Sequence, residues 1–246
     1  MTLLSVLDQS PIASGSTPAQ AVQDTLELAR AADRLGYHRY WLAEHHAPPA
    51  LAGSSPEILI GQVAAQTTRI RVGSGGVMLS HYSPLKVAEN FRMLETLFPG
   101  RIDLGVGRAP GGDQRTAQVL SGDAGTLAAE RFPGKVEDLI GFLTDGFAPG
   151  HPFAGIAAMP AGSTAPPVWL LGSSDQSAAL AAANGTAFSF AHFINGHGAD
   201  TILRGYARDF RPSPRLAAPQ ANLAVFVVCA DTETEARRLA KSRALF

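Results

Sequence analysis

The chain has 246 residues, and its 20 lysines and arginines against 21 aspartates and glutamates give a formal net charge of −1. This balance excludes a strongly basic nucleic-acid clamp and an acidic tail. The single cysteine, Cys229, excludes an intrachain disulfide and gives no support for secretion. The longest apolar run, residues 223–230, is too short to cross a bilayer. We therefore expect a cytoplasmic protein that binds neither nucleic acid nor a membrane.

Short apolar runs alternate with stretches of helical periodicity along the chain, which indicates parallel strands. We predict strands at residues 3–7, 39–43, 70–75, 101–107, 168–171, 187–191 and 221–229. We predict helices at residues 18–35, 56–66, 84–98, 135–144, 174–184, 199–210 and 232–245. Thr17, Pro18 and Gln20 have the pattern of an N-cap with a capping-box partner, and Asp231 precedes the last helix as its cap.

Two α/β architectures fit this order, a doubly wound open sheet and a (β/α)8 barrel. Polar or unusual residues directly follow several strands, namely Asp8, Glu44 to His46, Gly75 with Gly76, Arg108, and Ser173 with Ser174. The carboxyl ends of barrel strands converge on one mouth, where the active site lies, whereas an open sheet gathers such residues at one crevice. We therefore predict an α/β fold of TIM-barrel type, with one domain spanning residues 1–246.

The segment 109–167 is the longest irregular region of the sequence and contains one predicted helix. Loops of this length in compact domains are usually lids or binding elements, so we expect a lid here. Seven predicted strands are one fewer than the eight that close a TIM barrel. The charged last helix stops at Phe246 without a capping glycine. We therefore expect the eighth strand–helix unit to be absent, and we favour truncation of a longer protein over closure by rearranged strands or a partner subunit.

Gly172, Ser173 and Ser174 stand between a predicted strand and a predicted helix, with Ser177 one turn further on. This arrangement directs free backbone N–H groups, the positive end of the helix and two hydroxyl groups toward one point, which is typical of a phosphate site. Arg108 would add a bidentate ligand for that phosphate. A serine N-cap and a loop arginine are both common, so these residues alone do not establish the site.

The triplet Glu44, His45 and His46 ends the second predicted strand. Adjacent histidines rarely chelate one ion, and no His or Cys nearby has metal-ligand spacing, so we predict no metal site. The glycine-rich stretch 105–111 fails the dinucleotide-binding pattern, because Pro110 occupies its last glycine position and no helix opens there. The sequence has neither a Walker lysine nor a G-x-S-x-G elbow, so we also exclude a nucleoside triphosphatase and a hydrolase.

Four ordered motifs at the ends of predicted strands share one resemblance. They are residues 37–46 (YHRYWLAEHH), 72–79 (VGSGGVML), 99–111 (PGRIDLGVGRAPG) and 168–174 (VWLLGSS). Together they resemble the flavin-dependent luciferase-like monooxygenases, a family with a TIM-barrel fold that includes bacterial luciferase. The similarity extends over essentially the whole chain, and it is closest to a subgroup of small bacterial members whose substrates are mostly unassigned.

The resemblance implies a catalytic residue and a phosphate site. His45 matches the family's mouth-facing histidine beside the isoalloxazine ring. Arg108, Ser174 and Ser177 match the ligands of the flavin phosphate, and the backbone of Ser173 is expected to assist them.

The resemblance also implies which residues border the flavin ring. Gly75 and Gly76 match the place where the family often has a non-prolyl cis peptide bond against the ring. Glu44 and Glu89 are possible mouth residues, Glu89 because it matches a carboxylate near the mouth in luciferase. Gly107 stands where the family has a reactive cysteine, so no argument from a thiol is available.

The implied activity is a monooxygenase that uses reduced FMN and O₂, forms a C4a-peroxyflavin and oxygenates a small apolar substrate, possible examples being aldehydes. Since no nicotinamide site is readable, we expect a separate flavin reductase as partner. Two alternatives stay open: an F420-dependent hydride-transfer oxidoreductase, and a non-catalytic flavin-binding protein. Tyr82, Phe188, Phe190 and Phe193 either line an apolar pocket near the mouth or belong to the core.

We also expect a homodimer built on the second and third predicted helices. Gly61, Ala64 and Ala65 offer a flat surface of small residues there, which permits close approach of helices. The alternative is that these residues simply pack on the barrel.

Overall fold

The computed structural model describes residues 2–122, 130–144, 146–162 and 164–241. Its strands are β1 (Ser5–Asp8), β2 (Arg39–Leu42), β3 (Arg71–Ser74), β4 (Val77–Met78), β5 (Ile102–Gly107), β6 (Val168–Gly172), β7 (Ala187–Ala191) and β8 (Ala221–Ala224). Its α-helices are α1 (Pro18–Arg34), α2 (Pro56–Ala65), α3 (Pro84–Leu97), α4 (Gln114–Ser121), α5 (Phe132–Thr144), α6 (Asp175–Ala183), α7 (Ala199–Asp209) and α8 (Glu233–Ala240). Within the described residues, no helix combines the length and the apolar character that a membrane span requires.

The strands form one parallel sheet in the order β1, β2, β3, β5, β6, β7, β8, while β4 pairs with β5 alone. β3 pairs with β5 through Val72 opposite Ile102, and β4 pairs with the same strand through Val77 opposite Val106. β3 and β4 therefore share one position, which leaves seven positions around the sheet. This nearly closed barrel confirms the predicted TIM-barrel class, with β1 and β8 as its outer strands in the described part of the chain.

The helix starts follow local sequence signals. Proline stands in the first turn of α1, α2 and α3, where its missing N–H costs no intrahelical hydrogen bond. The Thr17 hydroxyl caps α1 by accepting from the backbone N–H of Gln20 at 3.1 Å. The Gln20 side chain donates to Asp24 at 2.8 Å instead of returning to Thr17. The predicted N-cap is therefore confirmed, and the predicted capping box is wrong.

Side chains alternate across each strand, and this alternation creates two cores. The larger core fills the layer between the sheet and the helices and includes Phe188 and Phe190, both completely buried. Of the two interpretations of these phenylalanines, the core is right and the mouth pocket is wrong. The smaller core fills the barrel interior with Trp41, Trp169 and Ala187, where the centroids of the two indoles lie 5.1 Å apart, edge to face.

A buried ion cluster fills the amino-terminal end of the barrel interior. The fully buried Asp103 accepts hydrogen bonds from Arg39 Nε at 2.9 Å, from Arg71 at 2.7 Å and from the Trp41 indole at 3.1 Å. Arg39 also lies over the Trp169 ring, 5.0 Å from its centroid. A buried carboxylate persists only when it is paired and hydrogen-bonded. Because these side chains occupy one end, a ligand has to enter at the carboxyl ends of the strands.

The predicted lid segment contains more regular structure than expected. Helix α4 was not predicted, although Asp113 caps it by accepting from the Thr116 N–H at 2.7 Å. Helix α5 begins at Phe132, three residues before the predicted start, and packs against α3. The rest of the segment includes residues 123–129, 145 and 163, which lie outside the described residues.

The last predicted strand is shorter than expected. β8 ends at Ala224, and the side chains of Val225, Phe226 and Val227 beyond it are at least half exposed. β8 pairs with β7 on one side, and the described residues supply no strand on its other side. The apolar residues 225–227 therefore do not continue β8, because β8 has no second partner strand among the described residues.

Helix α8 also differs from its prediction at the start. The Thr232 hydroxyl caps the helix by accepting from the Glu235 N–H at 3.2 Å, so Thr232 is the cap and Asp231 is not. The helix is described as far as Ala240, and the predicted end at residue 245 lies outside the described residues.

Candidate active site

Glu44 lies two residues after the end of β2 and is only 2% exposed. Its Oε2 accepts from the backbone N–H of Met78 at 2.8 Å, and its Oε1 lies 2.6 Å from His46 Nε2. The Tyr82 hydroxyl donates a short hydrogen bond to the same Oε1. Three donors compensate the buried charge of this carboxylate. Glu44 is therefore enclosed between the ends of β2 and β4, and its carboxylate does not face an open mouth as expected.

Tyr82 follows the short 3₁₀ turn Leu79–His81. Burial, and then the hydrogen bond to Glu44, raise the pKa of the Tyr82 hydroxyl. Tyr82 therefore stays protonated and remains a hydrogen-bond donor. The turn that carries it is held from α5, where Lys135 donates to the carbonyls of Ser80 at 2.8 Å and of Tyr82 at 2.9 Å.

His45 is half-buried next to this cluster, and its backbone N–H donates to the Gly53 carbonyl at 2.9 Å. Within the described residues, its buried Nδ1 has no hydrogen-bond partner. Burial lowers the pKa of the His45 imidazole, an effect that Glu44 opposes and His46 reinforces. The imidazole is therefore neutral near pH 7, with one N–H and one lone pair. An orphaned nitrogen of this kind is what a bound ligand would satisfy.

Gly75 and Gly76 join β3 to β4, and their peptide bond is cis, as the resemblance implies. Here the Ser74 hydroxyl takes the place of backbone hydrogen bonds between β3 and β5. It donates to the Gly105 carbonyl at 2.8 Å and accepts from the Gly105 N–H at 3.0 Å. A Cβ on Gly75 would overlap the Leu7 side chain, and one on Gly76 would lie 2.8 Å from the Gly105 carbonyl oxygen. Neither position admits a side chain, so bare backbone lines this part of the rim.

β5 ends at Gly107, where an added Cβ would meet nothing within 4 Å. Arg108 follows it and is exposed, and its guanidinium makes no hydrogen bond or ion pair with the described chain. The register pairs Gly107 with Leu171 on β6. Arg108 and the turn after β6 therefore leave adjacent strands at the same rim.

The turn after β6 presents the predicted serines. The Ser174 hydroxyl caps α6 by accepting from the Ser177 N–H at 3.3 Å, and the two hydroxyl oxygens are 3.1 Å apart. Ser177 fills the space that a Cβ on Gly172 would need. The Ser173 carbonyl accepts from the Asn195 side-chain amide at 3.0 Å. Asn195 lies after β7 and escaped sequence reasoning, because a single loop asparagine carries no local signal.

Glu89 lies away from these groups on α3. Its carboxylate is 4.0 Å from Lys86 Nζ, and no contact in the described part of the chain joins it to Glu44 or His45. A pocket of about 390 Å³ between α2 and α3 includes Tyr82 and Glu57 in its wall, but not Glu89. Burial raises the pKa of Glu57. Sequence reasoning missed Glu57, since a glutamate in the first turn of a helix is ordinary.

The rim of the barrel fits a flat cofactor that carries a phosphate. The free guanidinium of Arg108, the hydroxyls of Ser174 and Ser177 and the amino end of α6 form a donor set suited to a phosphate. Bare backbone at residues 75–76 and open space at residue 107 leave room for a ring. The orphaned nitrogen of His45 offers that ring a polar partner.

Comparison with known proteins identifies the family. The model of the family "Luciferase-like monooxygenase" matches residues 2–246. The uncharacterized protein YwcH of Bacillus subtilis (strain 168) is 54% identical over 239 residues, which cover 97% of this chain and 72% of YwcH. N-acetyl-S-alkylcysteine monooxygenase of the same organism is 44% identical over 244 residues, with coverages of 99% and 72%. The crystal structure of apo-MsnO8 matches with a TM-score of 0.89 and 43% identity, over 100% of this chain and 72% of that chain. The chain thus belongs to the luciferase-like monooxygenase family.

Proposed function

We propose that the protein uses reduced FMN and O₂ to oxygenate a small apolar organic molecule. The observation that carries the proposal is the set of unsatisfied groups at one rim of the barrel. The Arg108 guanidinium has no partner in the described chain, and Arg108 follows β5, the strand adjacent to the one that leads to Ser174 and Ser177. His45 follows β2 and brings an orphaned nitrogen to the same rim of the barrel. A flavin with a phosphate would satisfy both groups, and membership in a monooxygenase family supports the choice.

The roles of the residues follow from their chemistry. Arg108, Ser174 and Ser177 would hold the phosphate through charge-assisted hydrogen bonds at the positive end of α6. The backbone of Gly75 and Gly76 would border the ring. When bound, the reduced flavin supplies the electrons that activate oxygen.

His45 would handle a proton beside the reacting atoms. Its pKa is lowered by burial, so its imidazole is neutral near pH 7 and can accept a proton at one ring nitrogen while the other keeps its own. We infer that the described part of segment 109–167 that contains α4 covers the mouth and keeps water from these atoms. Helix α5 packs in the helix layer against α3 and is not part of this cover.

We infer that a separate reductase supplies the reduced FMN. Residues 105–107 belong to β5, and the next helix begins only at Gln114, so the helix does not open within the glycine-rich stretch as a dinucleotide site requires. The pure protein is expected to leave FMN oxidised in the presence of NADH. Rapid NADH-dependent reduction of FMN by the pure protein would contradict this inference.

The function is tested first by cofactor binding. Fluorescence titrations with FMN, riboflavin and F420 are expected to rank FMN tightest, because riboflavin lacks the phosphate. Tighter binding of F420, without incorporation of oxygen into any product, would favour the hydride-transfer alternative.

The second test is the reaction itself. The FMN complex is reduced without oxygen, mixed with ¹⁸O₂ and supplied with candidate substrates. Long-chain aldehydes are included, as are S-alkyl thioethers, because a relative is named N-acetyl-S-alkylcysteine monooxygenase. We expect a product that contains one labelled oxygen atom. Tight FMN binding without product from any substrate would favour a non-catalytic flavin-binding protein.

We also propose a homodimer through α2 and α3. Three large apolar side chains on these helices are exposed, namely Ile58, Met93 and Leu97. Ala65 is exposed on the same helix as Ile58, and Gly61 is half-buried. Ala64 is buried in the larger core, between the sheet and the helices, so the expectation that it contributes to a surface of small residues is wrong.

A further inference from the structure

The Tyr82 hydroxyl belongs to a hydrogen-bond network with Glu44 and His46, the residues on either side of His45 in the chain. It donates to Glu44 Oε1 and lies 3.2 Å from His46 Nε2, which is 2.6 Å from the same oxygen. Because Tyr82 gives its only proton to Glu44, the His46 nitrogen must carry a proton to make these contacts. The network therefore fixes the His46 tautomer with its N–H at Nε2.

Glu44 connects this network to the backbone of two neighbouring segments. Its Oε2 accepts from the Met78 N–H at 2.8 Å, two residues after the Gly75–Gly76 peptide. The backbone N–H of His46 donates to the Gly111 carbonyl at 2.9 Å, in the loop that also carries Arg108. The end of β2, the end of β4 and the loop after β5 are thus held together by the Glu44 carboxylate and the backbone of His46.

The position of Tyr82 is itself fixed from another element. Lys135 on α5 donates to the carbonyls of Leu79, Ser80 and Tyr82, at distances of 3.3, 2.8 and 2.9 Å. An ammonium group shared by three carbonyls leaves the turn little freedom to rotate. The orientation of the Tyr82 hydroxyl toward Glu44 is therefore fixed by the position of this turn.

We propose that Tyr82 is a positioning residue for the flavin site and acts through Glu44 and His46. His45 lies between these two residues in the chain, so their side-chain contacts orient its backbone and ring. The proposal rests on the proposed function for the identity of the ligand. The arrangement of His45 that it describes exists without any ligand.

A purely structural role for Tyr82 predicts a loss of stability and nothing else. Tyr206 provides the matched control, because it is a buried tyrosine whose hydroxyl donates to the Thr186 carbonyl at 2.8 Å, at the opposite end of the sheet. Tyr82→Phe and Tyr206→Phe each remove one buried hydroxyl and keep the ring. We expect both variants to lower the Tm, so the Tm alone does not distinguish the two roles.

The first readout is flavin binding. Tyr82→Phe is expected to weaken the binding of riboflavin and of FMN by the same factor, roughly 3- to 10-fold. The factor is the same because the lost contacts are those of the flavin ring, which both ligands share, and not those of the phosphate. It is also expected to alter the visible circular dichroism of the bound flavin. Tyr206→Phe should change neither. Unchanged riboflavin affinity and dichroism in Tyr82→Phe would overturn the proposal.

The second readout uses the apo protein and nuclear magnetic resonance of its histidine rings. Tyr82→Phe is expected to shift the ring resonances of both His45 and His46, whereas Tyr206→Phe leaves them in place. Unmoved His45 resonances would overturn the proposed positioning. If the wild-type protein binds neither FMN nor F420 and the His45 resonances still move, the proposed function fails and the positioning of His45 by Tyr82 stands.

Discussion

Arg108 is exposed and its guanidinium has no partner in the described chain, so removal of this side chain is expected to cost the fold little. Arg108→Ala should weaken FMN binding by roughly 1.5–3 kcal/mol, the usual range for a hydrogen bond to a charged group. Riboflavin lacks the phosphate, and its affinity should not change. Fluorescence titration of both ligands measures the difference. Equal losses for the two would mean that the variant damages the fold and that Arg108 does not bind the phosphate.

His45 is expected to make stability depend on pH. Burial lowers its pKa in the folded protein, while the unfolded chain keeps the ordinary value of about 6.5. The unfolded state therefore binds this proton first, and the folded state loses stability as the pH falls below that value. Between about pH 7 and pH 5, the Tm of the wild type should fall more steeply than that of His45→Asn.

Thermal melts across this range test the expectation, with His197→Asn as the control. His197 is an exposed histidine, and its variant should keep the wild-type slope. If His45→Asn also keeps that slope, the imidazole is not a buried neutral group. With FMN bound, His45→Asn should lower the yield of product more than it lowers the affinity for FMN.

Among the elements, the turn from β6 to α6 has no room for a side chain at Gly172, because Ser177 occupies the space. Gly172→Ala should displace Ser177, destabilise the protein by on the order of 1–3 kcal/mol and weaken FMN more than riboflavin. Gly134 in α5 is the control, since an added Cβ there meets nothing within 4 Å. Gly134→Ala should stabilise the fold by roughly 0.5–1 kcal/mol.

Denaturant unfolding and flavin titration measure both variants. A Gly172→Ala variant that binds FMN as tightly as the wild type would remove Ser177 from the phosphate site.

Local signals made several elements predictable. Prolines in the first turn fixed the starts of α1, α2 and α3. The serine N-cap that stayed open as an alternative at residue 174 is present as well, and each of these features depends on residues three or four positions apart. β4 was not predicted, since two residues are too few to show a periodicity. Its existence depends on pairing with β5, almost thirty residues away in the chain.

Long-range contacts account for the part of the site that the sequence did not reveal. Glu44 was expected at an open mouth, yet Tyr82, 38 residues further on, closes over its carboxylate. Phe188 points to the helices and not into the barrel, and this choice depends on the register of β7 against its neighbours. Periodicity shows that alternate residues share a face, but it does not show which face is inside.

For the whole molecule, the exposed apolar side chains on α2 and α3 lead to an expectation about assembly. Ile58→Lys should convert the proposed dimer to a monomer, because a charge at the centre of an apolar contact has to be desolvated. Leu28→Lys places the same charge at an exposed leucine on α1 and should leave the dimer intact. Light scattering at micromolar concentration distinguishes the two. A monomeric wild type would contradict the proposed dimer.

The open side of the barrel is a second property of the whole molecule. β1 and β8 each have one neighbouring strand in the described residues, and Leu3, Leu4 and Phe226 are exposed near these edges. Unpaired strand edges invite pairing with another chain. Pairing of β1 or β8 with a further strand should therefore raise the melting temperature of the protein.

The bare backbone inside the barrel also limits how this protein can change. A Cβ on Gly73, Gly75 or Gly105 would overlap neighbouring atoms, whereas one on Gly107 would meet none within 4 Å. In a library of variants, substitutions at the first three positions should lower the yield of folded protein, whereas substitutions at residue 107 should not. Gly105 and Gly107 lie on one strand, two residues apart. Under the proposed function, residue 107 is therefore the position at which a substitution would change substrate preference without disturbing the strands beneath it.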